Sequence, residues 1–266
     1  MKKRIAVVTG ASSGMGRETA LELSDRFSGL DEIWLIARRE DRLWQLAGKL
    51  TCRAKVLPMD LAKDRELSLL AGKLREEKPE VKILVNAAGF GKIGKIGDLP
   101  AEDERGMIDL NIGALTAVTR IVLPYMDDGG RILNYASSAA FLPQPGFGIY
   151  AATKAFVLSY SRALGVELRS RRIGVTAVCP GPVKTEFFDI AETYGKVPIY
   201  KKLIMAKPER VVRLAIRDMT AGQAVSTYGL PMKAFRVFCK LVPHSVILRL
   251  WNRVSPETVE VSREEG

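Results

Sequence analysis

Arg4-Ile5-Ala6-Val7-Val8-Thr9-Gly10-Ala11-Ser12-Ser13-Gly14-Met15-Gly16 is the stretch on which the fold turns. A short apolar, β-branched run breaks at a glycine turn, and the pattern beyond Gly14 becomes helical. Glycines at a strand–helix junction let the chain tighten and let backbone N–H groups approach a phosphate at the positive end of the helix. The spacing is Gly-x-x-x-Gly-x-Gly rather than the commoner Gly-x-Gly-x-x-Gly, but its place between strand and helix is the one a dinucleotide cradle requires. Gly10, Ser12, Ser13, Gly14, Met15 and Gly16 are therefore the first candidate cofactor-binding residues.

The alternation continues outward. Arg4–Val8, Glu32–Ile36, Ala54–Pro58, Lys82–Val85, Arg131–Tyr135 and Val175–Val178 read as strands. Gly14–Phe27, Asp41–Leu50, Lys63–Glu77, Ala101–Met126 and Phe147–Ser170 read as helices between them. Strands that are apolar throughout, each followed by a helix, imply a parallel sheet covered on both faces. The expected fold class is α/β: one Rossmann-type doubly wound domain over residues 1–266, of about seven strands, with a C-terminal helical extension.

Composition narrows the chemistry. The chain has 266 residues, 47% hydrophobic and 27% charged, ordinary proportions for a globular protein. It has no run of 18 apolar residues, so no membrane span is expected. The glycines after Thr9 interrupt any export signal, and a cytoplasmic location is expected. Cys52, Cys179 and Cys239 are scattered, which argues against disulfides and thiolate metal sites. His244 is the only histidine, so a histidine-rich metal centre is out of reach; no metal is expected, and His244 reads as structural or surface.

Two local features point to redox chemistry. An NAD-binding unit usually ends its second strand on Asp or Glu, which holds the ribose hydroxyls. This chain has Ala37-Arg38-Arg39 there. Guanidinium groups suit a 2′-phosphate, so NADP(H) is the expected cofactor, with Arg17 as a second contact; the alternative is that Arg38 and Arg39 are solvated loop charges. Tyr150 and Lys154 are four residues apart in a helical stretch, which stacks them on one face. A phenol with a pKa near 10 would need lowering by roughly 3 units to work near neutrality. A cation about 4 Å away would supply that at an effective dielectric near 20.

With these motifs the chain resembles the short-chain dehydrogenase/reductase family from Arg4 to about Thr185. Asp60-Leu61 follows the third strand, Asn86-Ala87-Ala88-Gly89 the fourth, and Asn134-Tyr135-Ala136-Ser137-Ser138 the fifth; Pro180-Gly181-Pro182-Val183-Lys184-Thr185 follows the sixth. Ala87 departs from the family's more frequent Asn-Asn-Ala-Gly. The resemblance implies cofactor contacts from Asp60, Leu61, Asn86, Ala87, Gly89, Tyr150, Lys154, Pro180, Gly181, Val183 and Thr185, with the Thr185 hydroxyl on the carboxamide. It implies Asn111, Ser137, Tyr150 and Lys154 as the catalytic set. Ser137 is preferred to Ser138 because it lies three residues after Asn134 and thirteen before Tyr150. By the same resemblance, Tyr150 exchanges a proton with the substrate oxygen while Lys154 lowers its pKa and holds the ribose. Ser137 donates to the alkoxide, and Asn111 holds a water.

The substrate side is expected to be aromatic: Phe90, Phe141, Phe147, Phe187 and Phe188, with Tyr194 and Tyr200 nearby and 186–206 as a lid. A small hydrophobic ketone or secondary alcohol is the expected substrate. A membrane-docked 3-oxoacyl reductase and a non-catalytic dinucleotide-sensing regulator are the alternatives. The net charge of +11 is concentrated toward the end, where residues 196–254 hold 12 basic and 2 acidic side chains. Within 230–254, apolar and basic residues alternate at helical spacing, with Pro243 dividing two helices. Such helices either pack on the body or a partner subunit, or touch a membrane surface. No nucleic acid is expected; a homodimer or homotetramer is, as in many family members.

Overall fold

Six apolar runs pair edge to edge, and a seventh short one completes the sheet. In the computed structural model, residues 2–195 and 205–254 are described. The strands are β1 (Arg4–Thr9), β2 (Glu32–Ala37), β3 (Arg53–Pro58), β4 (Glu80–Asn86), β5 (Met126–Tyr135), β6 (Gly174–Val178) and β7 (Val225–Ser226). All pairs are parallel, in the order β3-β2-β1-β4-β5-β6-β7. Winding reverses between β1 and β4, and ligands of such sheets bind in the crevice beyond the carboxyl ends of the strands at that reversal. The register places Thr9 beside Asn86 and Asn86 beside Asn134. The loops after β1, β4 and β5 therefore leave the sheet at one level.

Alternation along each strand divides the core. Ile5, Val7, Trp34 and Ile36 point to one face, with Leu70, Leu74, Val118, Val122 and Leu164. Those residues come from helices α3 (Asp64–Glu77), α5 (Leu115–Val122) and α6 (Gly148–Glu167). Ala6, Val8, Ile33 and Leu35 point to the other face. There they meet Leu23 of α1 (Gly14–Arg26), Leu43 of α2 (Glu40–Ala47) and Ile216 from near the end of the chain. Each fully buried Leu, Ile or Val contributes about 1.5–3 kcal/mol, which is why β1 and β2 are apolar on both faces, whereas in the edge strand β3 only Leu57 is buried.

The structure departs from the sequence expectation in three places. The expected single helix 101–126 is α4 (Ala101–Ile108), a π-helical turn (Asp109–Ala114), α5 and a 3₁₀ turn. By length and composition the run Ala101–Tyr125 could cross a membrane, contrary to the count of consecutive apolar residues. Here its Met107, Leu115, Val118 and Val122 are buried in the protein. β5 starts at Met126, five residues earlier than expected, because Met126 pairs with Val81 ahead of the bulge that holds Asp127 to Gly130. β7 is two residues long and gave no pattern to read.

Beyond β6 the chain forms α7 (Phe187–Ala191), α8 (Pro208–Thr220), α9 (Leu230–Leu241) and α10 (His244–Val254). The excursion after Pro182 is closed at its neck. Val183 and Ala206 form a parallel bridge, with Lys184 N donating to Ala206 O at 3.0 Å and Ala206 N to Pro182 O at 2.9 Å. Tyr200 and most of the expected lid's second half, 196–204, lie outside the described residues.

Candidate active site

A cavity of about 560 Å³ opens along the carboxyl ends of β1, β4 and β5. Its floor is the glycine turn. Gly10 and Gly14 have φ values of +67° and +53°, and a Cβ on Gly10 would stand 2.7 Å from the Ala87 carbonyl and the Ala88 nitrogen. Gly16 is equally constrained, since a Cβ there would meet the Gly10 carbonyl. Thr9 Oγ1 ties the turn to the β4 loop by accepting from Ala87 N and Ala88 N at 3.1 and 3.2 Å. The start of α1 is thereby held against the cavity, where its N–H groups suit a pyrophosphate.

The sequence-derived residues divide cleanly. Gly10, Ser12, Ser13, Gly14, Met15, Gly16, Arg38, Arg39, Asp60, Leu61, Ala87, Gly89, Pro180, Gly181, Val183 and Thr185 all border the cavity. So do Ser137, Tyr150, Lys154, Phe90, Phe147, Phe187 and Phe188. Asn86 does not. Its Nδ2 donates to Thr119 Oγ1 at 3.0 Å and Asn134 Oδ1 at 2.9 Å, and Asn134 Nδ2 continues to Ser161 Oγ. This buried chain joins β4 and β5 to α5 and α6, so Asn86 supports the site from behind. Phe141 is also displaced from its expected role: it is buried against Val157, Ala177 and Cys179. Phe235, 6.3 Å from it, borders the cavity instead. Arg17 pairs with Glu18 and is not in the cavity wall. Tyr194 is exposed, with Lys92 over its ring at 5.1 Å.

Arg39 has a specific environment. Its Nη2 donates to Ser12 Oγ at 3.2 Å and Ser13 Oγ at 2.7 Å, and its Nη1 to Glu186 Oε2 at 2.9 Å. Arg42 grips the other Glu186 oxygen. Both guanidiniums hold the Glu186 carboxyl below its usual range, Arg42 the more strongly. Neither Glu186 nor Arg42 was legible in the sequence, since only the fold brings 186 beside 39 and 42.

Ser137, Tyr150 and Lys154 meet over the cavity. Ser137 follows β5, and its hydroxyl accepts from Ala139 N at 3.1 Å, which starts a 3₁₀ turn. Tyr150 sits in the first turn of α6, 7% exposed. Its ring stacks on Phe147 at 4.3 Å and leans against Phe187 at 5.3 Å. Gly91 makes room for it, since a Cβ there would be 2.7 Å from Tyr150 Cδ2. Lys154 lies one turn further along, its Nζ 5.6 Å from the phenol ring centre and donating to Tyr135 O at 2.8 Å.

The expected acidification of the phenol is not made by these residues. Burial pushes Tyr150 up to about 12, with the Ser137 hydrogen bond pulling the other way. Burial also brings Lys154 down to about 8. The two shifts share a physical cause: both charged forms lose water, and the ammonium is directed at a carbonyl rather than at the phenolate.

Asn111 lies in the π-helical turn, off the cavity. Its Oδ1 accepts from Phe90 N at 3.0 Å, and its Nδ2 donates to Phe90 O at 2.9 Å and Thr153 Oγ1 at 3.0 Å. These bonds clamp the β4 loop to α6. Thr185 accepts from Phe187 N at 3.4 Å and stands over Gly14.

A sequence profile described as short chain dehydrogenase matches residues 4–193. This chain belongs to the short-chain dehydrogenase/reductase family. As such it is an oxidoreductase acting between CH–OH and C=O groups with a nicotinamide dinucleotide. This short-chain dehydrogenase is 35% identical to a very-long-chain 3-oxoacyl-CoA reductase of Anas platyrhynchos over 259 residues, covering 92% of the chain and 78% of that protein. It is 37% identical to sulfoacetaldehyde reductase 2 of Chromohalobacter salexigens over 189 residues, covering 69% of the chain and 74% of that protein. Among solved structures, a short-chain dehydrogenase from Sphingobium yanoikuyae in complex with NADPH superposes with a TM-score of 0.78 at 27% identity, covering 99% of this chain and all of the other.

The donor set fits the dinucleotide. The turn at Gly10 and Gly16 has no room for a side chain, α1 presents its N–H groups, and the hydroxyls of Ser12 and Ser13 lie beside the Arg39 guanidinium.

Proposed function

We propose that this enzyme is an NADPH-dependent reductase of hydrophobic ketones, with Tyr150 as general acid in reduction and general base in the reverse direction. The observation carrying this is the convergence of Ser137, Tyr150 and Lys154 on the cavity that the glycine turn floors. A nicotinamide held in this cavity would supply the hydride to the carbonyl carbon. Tyr150 Oη–H gives its proton to the carbonyl oxygen. A phenol raised to about 12 enters this step fully protonated at neutral pH, and an alkoxide is basic enough to take the proton. Ser137 donates to the same oxygen as charge develops there, a contribution that grows toward the transition state. Lys154, still mainly cationic at pH 7 with a pKa of about 8, is engaged with Tyr135 O and 5.6 Å from the phenol ring centre, so it lends the phenolate left behind only longer-range charge stabilisation.

Phe90, Leu142, Phe147, Phe187, Phe188 and Phe235 give the substrate side an apolar wall. That wall favours a hydrophobic carbonyl compound over a small charged one such as sulfoacetaldehyde. The similarity to a very-long-chain 3-oxoacyl-CoA reductase over nearly the whole chain supports the second reading, a 3-oxoacyl thioester as substrate. Arg38 and Arg39, with no carboxylate at the end of β2, favour the 2′-phosphate of NADPH over NADH.

Tyr150→Phe is expected to bind NADPH as the parent does and to lose about 10²–10⁴-fold in kcat. Dinucleotide fluorescence and NADPH absorbance, with steroid, fatty-acyl and polar carbonyls, test this together with the substrate class. Near-parental turnover in the variant would remove the mechanism, and a preference for polar carbonyls would remove the substrate class.

A further inference from the structure

Helix α9 has two working faces. Met232 and Phe235 reach the cavity, and Cys239 is buried beside Phe141. The opposite side is exposed and apolar: Leu230 is 81% accessible, Val237 55%, Phe238 46% and Leu241 77%. These positions are spaced at 7, 8 and 11 from Leu230, one face of a helix. After the break at Pro243, α10 adds Val246 and Leu250, also exposed, while its Ile247 is buried in the same cluster as Cys239. Lys233, Lys240 and Arg249 are exposed on these helices, and no acidic residue occurs from Gly229 to Val254. The rest of the described surface is more nearly balanced, so this basic, apolar face is distinct.

We propose that α9 and α10 dock on an anionic lipid bilayer and deliver a membrane-dissolved carbonyl compound to the cavity behind α9. The delivery half rests on the hydrophobic-substrate reading; the docking half does not. Charge complementarity selects the occupant. In a twofold pairing of copies the same patch faces itself, which would oppose Lys233, Lys240 and Arg249 to their own counterparts. A leaflet of anionic headgroups neutralises them instead, and exposed leucine, valine and phenylalanine side chains enter the acyl boundary as on interfacial amphipathic helices. Nucleic acid would satisfy the cations but leave the apolar centre in water. Continuity adds to this, because the helix with the exposed leucines is the one whose Met232 packs over Gly181 at the cavity wall.

The test uses the full chain with vesicles of phosphatidylcholine and phosphatidylglycerol, against pure phosphatidylcholine. The protein is expected to sediment with the anionic vesicles and to be released by salt. Lys233→Glu with Lys240→Glu should weaken binding by more than about twentyfold, each lost cation near such a surface being worth roughly fivefold. Val237→Glu with Leu241→Glu should abolish it. None of these four side chains borders the cavity, so NADPH binding and thermal unfolding should stay parental. Failure of the parent to bind anionic vesicles at low salt would overturn docking. So would charge-reversed variants that bind equally well, or a Val237/Leu241 variant that changes oligomeric state and not vesicle binding. For delivery, a long-chain ketone dissolved in the anionic vesicles should be turned over by the parent and at least about tenfold more slowly by the charge-reversed variant, in line with its weaker binding. Vesicle binding without consumption of that ketone would overturn delivery and the substrate reading while leaving docking in place.

Discussion

At the residue scale, Glu186 carries the clearest consequence. Its carboxylate lies between Arg39 and Arg42, at the edge of the cavity where a 2′-phosphate would seek the same guanidiniums. One anion must give way to the other. The pair is well over a third exposed, so its strength is that of a surface bridge, about 0.2–1 kcal/mol. Glu186→Gln keeps the shape and removes the competing charge. NADPH affinity should then rise by up to about fivefold with NADH affinity nearly unchanged, as read by fluorescence titration of both. An equal change for the two dinucleotides, or weaker NADPH binding, would show that Glu186 does not compete for the phosphate site. Arg38 and Arg39 could be singled out from sequence because their place after β2 is set by local order. Glu186 could not, since 147 positions separate it from Arg39.

At the scale of elements, the interrupted long helix is the part least legible in advance. Apolar periodicity runs through Asp109–Ala114 with no Pro there to mark a break, Pro124 coming only at the far end, so one helix is the natural expectation. The π-helical turn at Asp109–Ala114 appears only when Asn111 finds Phe90 and Thr153. Widened turns of this kind are frequent at functional sites. The central strands were legible for the opposite reason: burial on both faces leaves β1 and β2 apolar along most of their length, a signal that needs no partner to be seen. The same contrast explains Phe141 and Asn86. Both occupy segments correctly placed beside the cavity, but side-chain direction is decided by packing against α9 in one case and by the Asn134–Ser161 chain in the other. Asn111→Ala strips three hydrogen bonds and leaves Phe90 N and the Thr153 hydroxyl short of a partner. A loss of about 2–3 kcal/mol is expected, measured by urea unfolding; a loss below about 1 kcal/mol would mean that the clamp is not holding the loop.

At the scale of the whole molecule, the buried titratable groups set an alkaline limit. Tyr135 and Tyr150 are raised by burial, Tyr150 to about 12, and Cys179 is raised to about 12. In each, the folded state keeps a proton that the unfolded chain gives up, so stability present below the unfolded pKa is lost as pH rises toward the folded one. Lys154 acts in the other direction: lowered to about 8 from 10.5, it makes stability rise with pH across that interval. Between about pH 9 and 10 the cysteine and lysine offset each other. From about pH 10 the phenols join, and beyond about pH 10.5 three groups act together, so stability should fall by about 4 kcal/mol per pH unit. Urea unfolding between pH 8 and 11 checks this; a curve that stays level past pH 10.5 would contradict the burial of these side chains.

The bridge between Val183 and Ala206 gives the protein an exchangeable cassette. Strand order, glycine turn and proton-handling residues all lie outside that neck, and two backbone hydrogen bonds fasten it. Lengthening a closed loop is inexpensive, about 0.6 kcal/mol for each doubling. The excursion beyond the neck carries Phe187 and Phe188 to the cavity wall, so exchanging what the neck holds would retune which carbonyl compound is accepted, and this neck is the natural seam for engineering new specificity.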